Sequence, residues 1–172
     1  MFTKADIEKY FNAEKSESGL FMTIGIAGIV IAIIFYFFLK TEFYKGAAIP
    51  LFFIGVILGI VGFTVYKRSD SDRIRNVYAY DMNPTELKQK EIPRMKTVIQ
   101  NFIIYRWVEI ALLIIGLGLY IYFVRDIRHD FWRGFGLGLA VMALSALVAD
   151  YFAEKRGRVY LDGLITFTSK NS

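Results

Sequence analysis

A chain of 172 residues that is 55% hydrophobic and 17% aromatic, with a positive mean hydropathy, is too apolar for an ordinary soluble domain of its size and belongs with membrane proteins. The absence of cysteine excludes disulfides, thiolate zinc sites and cysteine nucleophiles, and a single histidine, His129, leaves little material for a His-based metal site or a Ser-His-Asp triad. The net charge of +5 reads as a topology signal rather than a footprint for nucleic acid.

Residues 1–18 are expected to form an amphipathic helix at the interface. Thr3 stands at a cap position with Asp6 at the third helical position, and Phe2 can staple onto Ile7. Phe2, Ile7, Tyr10 and Phe11 share one face, with Lys4, Glu8, Lys9 and Lys15 elsewhere. Such a face suits a helix lying on the bilayer, and equally one packed on the protein's own connector. The mixed-charge start and the long first apolar run speak against a cleaved signal peptide.

The first hairpin is placed at 19–68. Leu20 to Leu39 is uncharged, and ~20 residues at ~1.5 Å each cross a ~30 Å hydrocarbon layer. A turn, Lys40–Gly46, leads into a second uncharged span, Gly46 to Tyr66, with Pro50 about one turn in, where a missing hydrogen bond matters least. Gly55, Gly59 and Gly62 make a small-residue face for close approach of another helix, within the subunit or from a second one.

Residues 69–101 form a cytoplasmic connector. Ile74, Val77 and Tyr78 carry the second helix past the membrane surface, and Asn83-Pro84-Thr85-Glu86 starts a short helix that Pro93 interrupts. Pro93 then fits the first turn of a long helix with Met95, Val98, Ile99 and Phe102 that continues into the membrane. The second hairpin occupies 102–156. Its first span carries Arg106 and Glu109, and its second is rich in small residues, among them Gly136, Ala140 and Ala143, with Asp150 near its end. The tail, 157–172, is expected to form a short surface helix weakened by Gly157 and Gly163.

Residues 22–68 lie over 110–156 at an offset of 88 without a gap. The turn Lys40-Thr-Glu-Phe-Tyr-Lys-Gly46 then meets Arg128-His-Asp-Phe-Trp-Arg-Gly134, and Lys67-Arg68 meets Lys155-Arg156. The chain is thus expected to be an all-α integral membrane protein, with four transmembrane helices as two tandem hairpins in a parallel repeat. Of 21 basic residues, 16 fall on the side of the termini and connector and five in the two turns. The positive-inside rule puts both termini in the cytoplasm and the protein in the plasma (inner) membrane.

Arg106, Glu109 and Asp150 are the charged residues within or at the edge of a span, and form the candidate intramembrane polar cluster. A hairpin centred near residue 128 sets Arg106 level with Asp150, which suggests an ion pair with Glu109 bonded to a neighbour or to Arg106. The sharper reading makes Glu109 and Asp150 part of an ion or proton path. Asp126, His129 and Asp130 read as a solvated outer loop rather than metal ligands. The connector shows no phosphate loop, HExxH or nucleic-acid motif; its partners are expected to be anionic lipid head groups or a cytoplasmic protein. With no catalytic constellation and no cofactor site in view, the expected function is non-enzymatic: an interaction, assembly or accessory subunit that self-associates into a homo-oligomer. The alternative is a small oligomeric channel or transporter that uses Glu109 and Asp150.

Overall fold

The computed structural model of the chain describes residues 2–170; residues 1, 171 and 172 of the expected N-terminal segment and tail lie outside them. The fold is all-helical, with no strand among the described residues and four helices long and apolar enough to cross a membrane. They are α1 (Lys4–Ile34), α2 (Glu42–Met82), α4 (Ile92–Phe123) and α5 (Asp130–Lys170), with the three-residue α3 (Pro84–Glu86) between the hairpins. A π-helical turn over Phe35–Leu39 ends the first helix. Lys40 then takes the left-handed conformation, φ 58°, and donates its N–H to the Phe35 carbonyl, 3.2 Å. Thr41 caps α2 by accepting from the Tyr44 amide.

Each repeated turn motif is half turn and half helix. Phe43 to Gly46 and Phe131 to Gly134 already lie in the first turns of α2 and α5. Pro50 therefore sits two turns into α2, packed against α5 near Gly138.

The expected separate interfacial helix is not separate. Nothing between Lys4 and Ile34 breaks the helix, and the Ser18 hydroxyl merely folds back onto the Glu14 carbonyl. Its apolar face is buried in protein rather than laid on a surface: Ile7, Tyr10 and Phe11 join Leu87, Met95, Ile99, Tyr160 and Leu164 in one core. The choice between bilayer and connector thus falls to the connector. Within 69–101, α2 runs on to Met82 and α4 starts at Ile92, so most of that stretch is helical. Pro93 lies in the first turn of α4, as expected, its missing N–H being unneeded there. The tail is no short helix but the last turns of α5. Gly157 and Gly163 serve as contact points there, where a Cβ would press on Ile99 and on the Phe2 ring.

Backbone contacts at small residues hold the helices together. Within the first hairpin, Cβ atoms added at Gly55 and Gly62 would stand 2.8 Å from the Gly25 carbonyl oxygen and 2.7 Å from that of Ser18. Within the second, Gly116 and Gly136 exclude each other's side chains in the same way, and Ala140 backs onto Gly116. Such proximity strengthens dispersion and leaves no room for a side chain. The hairpins join through α2 and α5. At the turn end, a Cβ on Gly46 would overlap the Phe131 carbonyl, and one on Gly134 the Phe43 carbonyl. At the other end the shared core closes the molecule. Between these closures α2 and α4 scarcely touch, and a cleft opens.

The two hairpins also keep step. α1 and α4 start at Lys4 and Ile92, and α2 and α5 run from Glu42 to Met82 and from Asp130 to Lys170, all 88 residues apart. Buried positions coincide at that spacing: Ile7 with Met95, Phe11 with Ile99, Gly46 with Gly134, Leu51 with Leu139.

Candidate functional site

Side chains on a helix lean toward its N-terminus, which decides the pairing in the second hairpin. Arg106 on α4 reaches toward the end of the bundle that holds the termini, and Glu154 on α5 leans back toward it. The two form an ion pair, and Arg158 grips the other Glu154 oxygen at 2.7 Å. The expected Arg106–Asp150 pair is therefore replaced by Arg106–Glu154, one turn along. Glu154 is 5% exposed, so its two arginines supply the compensation that a buried carboxylate requires. Asp150 instead meets Glu109, carboxyl to carboxyl. Two acceptors in contact need a proton or a bound donor between them. Glu109 Oε2 is buried with no hydrogen-bond partner among the described residues.

Glu109 and Asp150 line the cleft, a cavity of about 510 Å³ walled by all four long helices. Toward the turn end its wall is apolar, with Ile54, Leu58, Leu112, Ala143 and Ala146. Toward the terminal end it carries Glu14, Glu17 and Ser18 of α1, Arg68 of α2, Asn101 of α4 and Arg156 of α5. Glu109 and Asp150 also border a second groove, of about 470 Å³, beside Ile110, Leu147 and Glu154.

The polar end is only partly satisfied from within. Glu14 accepts from the Tyr10 phenol at 3.2 Å and the Ser69 hydroxyl at 2.9 Å, and Arg68 stands 4.0 Å away. Arg156 pairs with Glu17, yet Glu17 Oε2 and Arg156 Nε are buried with no hydrogen-bond partner among the described residues. Below this network, beyond the apolar spans, Tyr10 stacks on Tyr160 with ring centroids 4.0 Å apart, and the Tyr160 phenol donates to Glu91 at 3.4 Å. Burial pushes both phenols far above the usual tyrosine range, reinforced by the carboxylates of Glu14 and Glu91 respectively. Both therefore stay donors.

Many of the positions on the wall match in pairs at the spacing of 88, and the pairs differ in kind. Arg68 faces its counterpart Arg156, whereas Glu14 is matched by Phe102, Glu17 by Tyr105, Glu109 by Phe21 and Asp150 by Gly62.

The other sequence candidates lie elsewhere. Gly55 and Gly62 pack on α1, while Gly59 presents its backbone to Gly25 and its own side-chain direction is open. Gly136 and Ala140 pack on α4, and Ala143 is buried against the cleft. In the second turn Asp126 caps its own loop and contacts His129 Nδ1 at 2.8 Å, and Asp130 pairs with Arg133 at 3.1 Å. Among the described residues no three His, Asp or Glu side chains group so as to hold a metal ion. Glu14, Glu17 and Glu154 were not singled out from the sequence, because they stand in stretches that read as solvated. The Lys67-Arg68 and Lys155-Arg156 coincidence was a signal for Arg68 and Arg156. No family model, curated protein or solved structure matches the chain.

Proposed function

We propose that the chain is a non-enzymatic, four-span integral membrane protein, an accessory or binding subunit whose working surface is the cleft between two duplicated hairpins. The observation that carries this reading is the cleft itself: a cavity within the ~300–1,000 Å³ range of ligand sites, apolar at one end and incompletely satisfied at the other. Membrane insertion is supported by the large hydrophobics left exposed along 20–39, 52–66, 103–127 and 132–152, which would otherwise face water. The matched helix boundaries support a parallel duplication, and the charge count supports cytoplasmic termini in the plasma (inner) membrane. Self-association draws less support than the composition suggested, since most glycines pack within the subunit; Gly59 and Gly118 are the ones left open. A cytoplasmic partner would find Ile74, Tyr78 and Met82 exposed on one stripe of α2.

The second reading, a carrier of protons or cations, is favoured by the Glu109–Asp150 contact on the cleft wall. Single cysteines placed in this cysteine-free chain test the threading. Cysteines at 40 and 129 should react with an impermeant maleimide on intact cells, and those at 8 and 88 only after permeabilisation. The reverse pattern would invert the orientation, and identical behaviour of all four positions would contradict the threading. Proton or cation flux into liposomes that is lost in Glu109→Gln would select the second reading over the first.

A further inference from the structure

We infer that the cleft binds an amphiphile with a primary ammonium head, its nitrogen between Glu109 and Asp150 and an alkyl chain along Ile54, Leu58 and Ala146. The inference rests on the proposed role of the cleft as the working surface and names what enters it. The first ground is sign. Four acidic residues, Glu14, Glu17, Glu109 and Asp150, line the cavity against two basic ones, Arg68 and Arg156. With one proton shared between Glu109 and Asp150 the acids still outnumber the bases, so the cavity favours a cation. The second ground is hydrogen bonding. Carboxyl meets carboxyl at Glu109 and Asp150, and the buried Glu109 Oε2 finds no donor among the described residues. A primary ammonium brings three donors and no acceptor, which is what such a group of oxygens requires, and its charge-assisted bonds are the stronger kind. The third ground is shape. The apolar wall runs from the carboxyls toward the turn end, where an alkyl chain buries surface at ~25 cal/mol per Å².

The same head occurs on a free alkylamine and on an ethanolamine phospholipid, and the test separates these sources. The full chain is reconstituted into phosphatidylcholine nanodiscs and titrated with radiolabelled dodecylammonium. Saturable binding is expected, competed by unlabelled dodecylammonium and not by dodecanol or dodecyl sulfate, and weakened at least tenfold in Glu109→Gln and in Asp150→Asn. Loss of the signal in discs that contain phosphatidylethanolamine assigns the site to the lipid; retention assigns it to the free amine. Ala146→Phe and Leu58→Trp fill the apolar end while leaving the carboxyls in place, and each should abolish binding with the thermal transition retained. Equal competition by the alcohol, with binding still lost in the filled variants, would overturn the ammonium assignment and leave the cleft reading intact. Binding unchanged in both filled variants would overturn the cleft reading itself.

Discussion

The contact between the repeated turns makes a sharp prediction about glycine. A Cβ on Gly46 would overlap the Phe131 carbonyl oxygen, and one on Gly134 the Phe43 carbonyl oxygen. Both obstacles are backbone inside a helix, so neither can swing aside as a side-chain tip would. Gly46→Ala or Gly134→Ala must therefore part α2 from α5 at their closest point. Overpacking of this kind costs about 1–3 kcal/mol, against which alanine returns up to ~1 kcal/mol of helix propensity. A net loss of about 1–2 kcal/mol is expected for each, which at ~2–4 °C per kcal/mol lowers the melting temperature by about 2–8 °C. Once one glycine has been replaced the helices already stand apart, so the double variant should lose less than the sum of the singles. Gly59→Ala and Gly118→Ala are the controls, since nothing lies within 4 Å of either added Cβ, and they should be neutral or slightly stabilising. Thermal unfolding in nanodiscs, followed by circular dichroism, reads all five variants. The reasoning fails if Gly46→Ala and Gly134→Ala behave like the controls.

Three further outcomes follow from the site. A double-mutant cycle on Arg106→Gln and Glu154→Gln should give a coupling of about 1–3 kcal/mol, as for a hydrogen bond to a charged group, whereas Arg106→Gln with Asp150→Asn should give almost none; strong coupling to Asp150 would restore the pairing expected from sequence. Because the folded pKa values of Tyr10 and Tyr160 lie above those of the unfolded chain, their contribution to stability is complete below about pH 10 and is lost as the pH rises beyond it. Absorbance at alkaline pH should then show the Tyr10 and Tyr160 phenolates appearing only with unfolding, and their ionisation in the folded chain would contradict the buried stack. Tyr10→Phe keeps the ring on Tyr160 but removes a donor from Glu14, at a cost of about 1–3 kcal/mol in the same melting assay; an unchanged transition would mean that water replaces the phenol.

Much of the architecture was legible because it follows from composition over long windows. Runs of ~20 uncharged residues leave few alternatives to helices, and Asn83-Pro84 with Lys40-Thr41 mark ends by their own backbone chemistry. What was not legible depends on partners distant in sequence. The face of Ile7, Tyr10 and Phe11 has the same periodicity whether it meets lipid or Met95 and Leu164, so periodicity alone could not assign it. The centre of the second hairpin was placed by its turn, but side-chain lean moved the partner of Arg106 from Asp150 to Glu154. Glu14 and Glu17 were overlooked because four residues in the preceding helical turns are charged, and only the fold shows that α1 turns that face toward a cavity.

The matched pairs on the cleft wall explain why its acids escaped notice and why they carry weight. On the duplication proposed above, each acid on the wall has a counterpart of a different kind: Glu14 has Phe102, Glu17 has Tyr105, Glu109 has Phe21, Asp150 has Gly62. Some packed positions keep their character across the copies, as at Gly46 and Gly134 or Leu51 and Leu139, where both hairpins meet a similar packing demand. The arginines at the mouth, Arg68 and Arg156, keep theirs too. The acids change kind between the copies, Glu14 and Glu17 on α1 and Glu109 and Asp150 on the second hairpin, as do Tyr10 with Val98 and Asn101 with Ala13. Burying a carboxylate in a mainly apolar wall is unfavourable, and packing alone would have been met by the counterpart residue already present in the other copy. On the reading proposed above, the Glu109–Asp150 contact belongs to the site and the repeated turn to the frame.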